Sequence, residues 1–424
     1  MPILSGFISY LHSTELRTRH VADPRHFSRR RKLDFATLIS WFLGCNRACV
    51  QTELDRFFAV LHNQAELVRG ASAQALSKAR QNLPHTVFID LTQHLLTLVE
   101  QHIGMPRWRG LRVVAADASD VRLTTRDATR RVIQFAKVFA LYLPGVEMML
   151  HATLYGTDTG ERQMLFEHLD LLGKNDLLVL DRGYPASWLM AALQMRAIHF
   201  CMRIDSIGGA AVTTFLRSGA GEAIVTLPPP NRPDASDYEI ERAPVTVRLI
   251  RLVTPEGRVR VLATSLLDTQ TWPAADFAAL YHQRWRIEEA FKRIKHRLAL
   301  EAVSGLSWLT HQQDLAAKVL SDNLSALLCL EALGERDGQI SEHTPTLICS
   351  STDALLKINR TRAFAHIRQC LPRWLCDGVA PAIDDLTRLL RHIADNVIRF
   401  MPDRSRPRPL QPKPHKAFAS KAVM

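Results

Sequence analysis

The chain has 424 residues, 47% hydrophobic and 23% charged, a composition that folds into a packed protein and a length beyond one small core, so two or three domains are expected. Lys and Arg total 54 against 42 Asp and Glu, a formal net charge of +12 with an isoelectric point near 9.6, which points to a polyanionic partner and first to nucleic acid. No apolar run approaches the ~20 residues that cross a bilayer, no basic-then-apolar export signal opens the chain, and an odd number of scattered cysteines makes no disulfide framework, so membrane and disulfide-stapled proteins are disfavoured and a cytoplasmic one is expected.

Near the start, Arg17, Arg19, Arg25, Arg29, Arg30, Arg31 and Lys32 gather, a run that suits either a solvated surface or a polyanion contact. From Leu33 to about Ile103 apolar residues recur every three or four positions, as in Leu33, Leu38, Phe42 and again Leu54, Phe57, Phe58 and Leu61, which predicts a helical unit. Pro84 suits the first turn of its last helix. The stretch ASAQALSKARQNL at 71–83 offers Ser72, Ser77, Lys78 and Arg80 either to phosphates or to water as ordinary helix surface. Cys45 and Cys49 have the spacing of half a zinc site, but no second ligand pair follows nearby.

At Leu111 the texture changes. Arg112-Val113-Val114-Ala115-Ala116 is a short apolar run that stops at Asp117 and predicts a buried strand. Further strands are expected at Val132–Leu143 and Met148–Tyr155, with a turn at Thr157-Asp158-Thr159-Gly160. Leu177–Leu180 predicts a second buried strand, ending at Asp181 and followed by Gly183 and a helix from Pro185 to about Met195. Two buried strands thus each deliver an aspartate near the C-terminal edge. Between about Phe200 and Leu267, runs such as Val245–Val253 and Arg258–Ser265 read as strands of an antiparallel unit. Helical patterns then run from Ala274 to about Phe400, and RSRPRPLQPKPHK closes the chain as an extended basic tail that cannot build a core.

The segment YHQRWRIEEAFKRIKH at 281–296 carries the most information. On a helix of about 100° per residue, Tyr281, Arg284, Glu288 and Lys295 fall at roughly 0°, −60°, −20° and −40°, with Lys292 beside them. Ile287, Phe291, Ile294 and Leu298 form the adjacent apolar stripe that anchors the helix. Alone, Glu288 with Arg284 or Lys292 is an ordinary surface pair at four-residue spacing. Joined to Asp117 and Asp181, it completes three oxygen donors from two strands and a helix, the set that a pair of hard divalent cations takes, and two such ions can assist an in-line phosphoryl displacement. Asp120 and Glu289 are the nearest rivals: Asp120 lies past the apolar run, and Glu289 turns off the stripe. Trp272 and Trp285 are candidate base-stacking residues, although a packing role suits a tryptophan better.

The pattern Y-x2-R-x3-E-x6-K met by Tyr281, Arg284, Glu288 and Lys295 resembles the signature of the IS4 family of bacterial insertion-sequence transposases. AADASDVRL at 115–123 is similar to that family's first-aspartate segment, with Ala118 where Gly is more usual, and VLDRGYPA at 179–186 to its second. The resemblance runs from about Phe27 to Lys295. It implies an α/β fold with a ribonuclease-H-like catalytic core at 109–300 that holds a β-rich insertion at about 200–267. A helical DNA-binding domain would occupy 1–108, C-terminal helices 301–402 and the tail 403–424. It further implies a DDE enzyme of cut-and-paste transposition that acts on double-stranded DNA, as a homodimer when two transposon ends are paired. Asp117, Asp181 and Glu288 would be its catalytic residues and the ligands of two Mg²⁺ or Mn²⁺ ions, while Tyr281, Arg284, Lys295 and Lys292 would hold DNA phosphates. The competing expectations are a catalytically silent DNA-binding repressor of the same descent and a plain metal-dependent nuclease.

Overall fold

Helices fill the first hundred residues, as the apolar spacing requires: α1 (Pro2–Leu11), α2 (Thr14–His20), α3 (Phe35–Leu43), α4 (Val50–Leu61), α5 (Ala73–Arg80) and α6 (Thr86–His102). Their starts are set by short polar caps, with Ser13, Asp34 and Ser72 each accepting a backbone N–H of the first turn. The computed structural model describes residues 2–28, 31–44, 48–126, 131–204, 209–254, 257–334, 340–341, 344–349 and 355–400. Arg29, Arg30, Cys45 and the basic tail at 403–424 therefore lie outside the described residues.

Next comes a mixed sheet. Strand β1 (Arg107–Trp108) turns into β2 (Leu111–Arg126) through Arg109 and Gly110, both at positive φ (46° and 86°), the backbone that a two-residue hairpin turn requires. β3 (Arg131–Leu143) and β4 (Met148–Tyr155) follow as antiparallel neighbours, and after α7 (Glu161–Phe166) the chain enters β5 (Asp176–Leu180), parallel to β2. Then come α8 (Ser187–Met195), β6 (His199–Ile204), α9 (Gly209–Ser218), β7 (Glu222–Leu227), α10 (Arg232–Asp237), β8 (Val245–Val253) and β9 (Val259–Thr264). The strand order is β4-β3-β2-β5-β6-β9-β8-β7, with β1 on β2. β7 to β9 form the expected antiparallel unit, but they extend the central sheet through β6, with α9 before β7 and α10 between β7 and β8.

One expectation is corrected here. β2 does not stop at Asp117; it continues to Arg126, paired rung by rung with β3 from Ala115↔Tyr142 to Arg126↔Arg131. The apolar run ends at Asp117 because there the parallel partner β5 gives out, after Ala115↔Val179. Beyond that point the strand is flanked by β3, so polar side chains are tolerated on it.

The remaining chain is α11 (Phe277–His282), α12 (Trp285–Lys292), α13 (Trp308–Gly334), β10 (Ile340–Ser341), β11 (Thr344–Cys349), β12 (Leu355–Ile358), α14 (Arg360–Asp377), α15 (Ile383–Ala394) and β13 (Val397–Arg399). The helical reading of 274–400 thus missed a small sheet of order β10-β11-β12-β13, whose strands are too short for an alternating pattern to be legible. α13 is buried on nearly every side and forms the spine of the protein. Its Asn323 pairs with both backbone groups of Met149, accepting at 2.8 Å and donating at 2.9 Å, where the β3–β4 register shifts.

Charged groups on the spine are buried in a chain of ion pairs. Asp322 on α13 receives Arg293 (3.3 Å) and Arg360 (3.1 Å), and Arg360 in turn reaches Glu147 (3.3 Å), which Lys357 also holds (2.6 Å). Burial alone would raise the Glu147 carboxyl, but Lys357, Arg293 and Arg360 drive it below the usual carboxylate range. Removing one member leaves the others charged and unpaired in the interior. Asp322→Ala is therefore expected to cost about 3–5 kcal/mol, read as a lowered urea midpoint of the full chain; a loss below about 1 kcal/mol would mean that the chain of pairs contributes little.

Candidate active site

Alternation along β2 sends Val114 and Ala116 to the core shared with the N-terminal helices and α13, together with Leu178 and Leu180 of β5. The opposite face carries Val113, Leu177 and Val179, covered by Phe277, Leu280 and Tyr281 of α11. Beside them lie Ala115, Ala140 and Tyr142, covered by Ile287, Ala290 and Phe291 of α12. Asp117 has the parity of this second face. Since Ala115 pairs with Val179, Asp117 and Asp181 each lie two residues past the last parallel rung, side by side and under the helix pair that carries Glu288.

Both aspartates are held by their own backbone: Asp117 Oδ1 accepts from Ala118 N (2.9 Å) and Asp181 Oδ1 from Gly183 N (2.7 Å). The absence of a side chain at Gly183 leaves room for that contact. A Cβ at that position would lie 3.0 Å from Asp181 Oδ1, inside ordinary van der Waals contact. Glu288 is joined to Asp117 through Arg284, whose Nη2 donates to Glu288 Oε1 (3.1 Å) while Nη1 lies 3.8 Å from Asp117 Oδ2. Arg284 is 5% exposed, its guanidinium lies over the Trp285 ring at 4.9 Å, and its Nε and Nη1 have no hydrogen-bond partner.

The helix is not the uniform one assumed from the wheel. Between α11 and α12 the chain tightens into three-residue hydrogen bonds, Arg284 N to Tyr281 O (3.2 Å) and Ile287 N to Arg284 O (3.2 Å). After Lys292 it widens into a π turn at Arg293–Arg297. The stripe is accordingly split. Tyr281 is buried among the α11 contacts, and burial pushes its hydroxyl up to about 12. Lys295 turns onto β2, donating to Ser119 Oγ (2.6 Å) and to the Asp120 carbonyl oxygen. Lys292 is exposed and lines a separate groove with Glu289 and His296. Asp120 has the opposite strand parity from Asp117. Trp285 is 42% exposed, whereas Trp272 packs against the α11 cluster.

A residue that sequence reasoning passed over stands at the same place. Glu161 opens α7, and the missing Cβ of Gly183 would lie 3.6 Å from its Oε2. Burial and then Asp181 raise its carboxyl above the ordinary range. No pattern could have found it, because a glutamate in the first turn of a helix has a sufficient local reason there. Tyr184, fully buried, has an unpartnered hydroxyl in the field of Glu161, Asp117 and Asp181.

These are hard oxygen donors gathered around a positive side chain, the chemistry that suits a divalent cation. Among the described residues, however, no three His, Cys, Asp or Glu side chains converge closely enough to hold a metal ion as they stand. The Arg284 guanidinium spans the space between Asp117 and Glu288. At the edge of the mixed sheet, half-buried carboxylates are thus gathered around one arginine. The chain belongs to the transposase DDE domain family, whose model matches residues 108–324.

Residues of this chain are also 30% identical over 244 positions to the transposase InsG of insertion sequence element IS4 from Escherichia coli (strain K12), a match spanning 53% of each protein. The chain thus spans about half the length of that relative. A solved chain of the piggyBac transposase synaptic complex with hairpin DNA overlays 96% of this chain and 88% of its own at 11% identity, with a TM-score of 0.43, a likeness too loose to assign the fold.

Collecting carboxylates under a helix has a measurable cost. Burial, followed by Glu161 and Asp181, raises Asp117 to about 7 against the attraction of Arg284. A carboxyl whose folded pKa exceeds its unfolded value stabilises the fold only while protonated, so this contribution falls away as pH rises from about 4 to about 7. Asp117→Asn should therefore stabilise the metal-free protein by roughly 1–3 kcal/mol at pH 8 and change it little at pH 4; equal melting shifts at the two values would contradict the burial argument.

Proposed function

We propose that this protein is a cut-and-paste DNA transposase: it binds the inverted-repeat ends of an insertion sequence and cleaves and joins DNA at a site formed by Asp117, Asp181 and Glu288. The observation that carries this reading is the shared register of the two aspartates on adjacent parallel strands, with Glu288 joined to Asp117 through Arg284. The order β4-β3-β2-β5-β6, three antiparallel strands followed by two parallel ones, supports a ribonuclease-H-like core for 109–300, with the β-rich insertion supplied by β7 to β9.

Asp117, Asp181 and Glu288 would hold two Mg²⁺ or Mn²⁺ ions, which when bound supply charge for the attacking and leaving oxygens of phosphoryl transfer. The residues of the chain supply orientation. Arg284 keeps Nε and Nη1 without hydrogen-bond partners while lying between Asp117 and Glu288, and its fixed positive charge suits a phosphate. Lys295, held against β2, adds a second cation beside the first aspartate. Exposed Trp285, stacked under Arg284, presents a flat face to an unstacked base. Tyr281 acts here through packing, fixing the start of the helix. Lys292 would meet DNA on the outer side of the helix.

Charge complementarity supports recognition by the N-terminal helices, 1–108. A cavity of about 740 Å³ beside α5 is lined by Arg25, Arg31, Lys32, Lys78 and Asn82, with no carboxylate among its described lining residues. Of the two cations that the sequence offered on α5, Lys78 faces this cavity. Arg80 is instead buried, donating to Gln313 (2.8 Å), Ser304 (2.6 Å) and the Thr310 carbonyl (3.2 Å). Two ends must be held together for excision, which favours a homodimer on DNA, acting in the cytoplasm.

The test supplies inverted-repeat DNA and Mg²⁺ to the full chain and follows end cleavage and joining. Glu288→Ala is expected to reduce cleavage by about three orders of magnitude or more with DNA binding retained; undiminished cleavage would remove Glu288 from the site. Binding without any cleavage by the unmodified chain would instead favour a repressor. Lys78→Ala should weaken binding to all duplexes alike and lower the salt slope by about 1, the amount that goes with one neutralised phosphate, while Arg80→Ala should act through stability. A salt slope unchanged in Lys78→Ala would exclude the cavity as the DNA contact.

A further inference from the structure

Three features outside the assigned residues meet at the turn after β5. Glu161 Oε2 and Asp181 Oδ1 both approach Gly183, 3.6 and 3.0 Å from the point where a Cβ would stand. The next residue, Arg162, donates from Nε to the Gly183 carbonyl (2.9 Å), and Lys137 donates from Nζ to the Thr159 carbonyl (3.0 Å). The first turn of α7 is thus tied on one side to the Asp181 turn and on the other to β3. Among the described residues the Glu161 carboxylate itself has no hydrogen bond or ion pair.

A glutamate with a purely structural role would be expected to use its oxygens. Here the neighbouring cations, Arg162 and Lys137, bond to backbone carbonyls instead and leave the carboxylate directed at Asp181. An independent observation points the same way: the Tyr184 hydroxyl is fully buried, without a partner, and lies in the field of Glu161, Asp117 and Asp181. Buried hydroxyls are nearly always paired, and one that is not marks a place where a ligand or its water shell completes the site.

We propose that Glu161 is a fourth carboxylate of the site, sharing a divalent cation with Asp181. This rests on the active-site reading given above. It adds a ligand from α7, an element on neither of the strands nor the helix that supply the other three. It gives Gly183 a second role, since a side chain there would crowd both carboxylates. It also places negative charge beside Asp181, apart from the Asp117 and Glu288 carboxylates that Arg284 partly neutralises.

The experiment is a titration of the full-length chain with Mn²⁺, counting free Mn²⁺ by electron paramagnetic resonance, alongside the metal-induced rise in melting temperature. The unmodified chain, Glu161→Gln, Glu161→Asp and Asp181→Asn are compared. Expected are a 10- to 100-fold loss of affinity, the range of about 10–100-fold typical of groups that support a metal, in Glu161→Gln and at least that in Asp181→Asn. Glu161→Asp, which keeps the charge, should retain more binding than Glu161→Gln, and it carries the test if the Gln variant does not fold. Wild-type affinity in Glu161→Gln with loss in Asp181→Asn would overturn the assignment of Glu161 and leave the site reading intact. No difference between Asp181→Asn and the unmodified chain, or no Mn²⁺ binding by either, would overturn both.

Discussion

The parallel pairing of β2 with β5 is the constraint on which the other features of the site depend. Arg112 and Asp176 clamp it at its start with a bidentate ion pair of 2.6 and 2.9 Å, and they are also partners in the ladder. With that end fixed, rung counting leaves no freedom at the other. A slip of one residue would send one aspartate to the core packed against the N-terminal helices, because side chains alternate between faces. The ion pair at the bottom of the strands thus sets the separation of two carboxylates at the top. The same end is held to the site helix by Arg109, which donates from Nε to Asp276 at 2.7 Å, just before α11.

Two acidic groups placed side by side under a helix repel each other and lose hydration, so the covering helix must be held by something stronger than its own polar stripe. The apolar residues of α12 provide part of this by packing on β2 and β3. The rest comes from the π turn that follows. By widening the helix it turns Arg293 inward onto Asp322 and Tyr142, while Lys295 turns onto Ser119. A buried arginine bonded to the spine helix therefore fixes the helix that carries Glu288. The ion pairs continue through Arg360 to Glu147 and Lys357, so the position of the third carboxylate depends on residues of the C-terminal half.

Much of this was legible because it follows from short-range rules. The apolar runs at 111–116 and 177–180 and the alternation of β8 announced their strands, and the spacing of Ile287, Phe291 and Ile294 announced the buried side of the site helix. What was not legible depended on partners far away in sequence. The apparent end of β2 at Asp117 was the end of its neighbour. Arg80 and Lys78 carry the same charge on opposite sides of α5, and which side is buried is decided far away in sequence: Arg80 meets Gln313 and Ser304, while Lys78 lines the basic cavity. The wheel assumed a uniform helix and so missed the π turn after Lys292, beyond which Lys295 turns onto β2. The strands β10 to β13 are too short to show a period.

Arg284 shows why the site should be read as incomplete in its own terms. It bonds Glu288 and faces Asp117, which lowers the repulsion between carboxylates from different elements. Yet its Nε and Nη1 remain without hydrogen-bond partners although the side chain is buried, and an unmet buried donor of this kind costs about 1–3 kcal/mol or more when charged. A role confined to stability would be served by a geometry that satisfied all the donors. The guanidinium instead compromises between two carboxylates and leaves Nε and Nη1 unmet. Asp117, raised first by burial and then by Glu161 and Asp181 against the pull of Arg284, shows the complementary deficit, a carboxylate short of hydration and counter-charge. An anionic group on Arg284 and cations among the carboxylates would remove both deficits together, whereas either one alone would deepen the other.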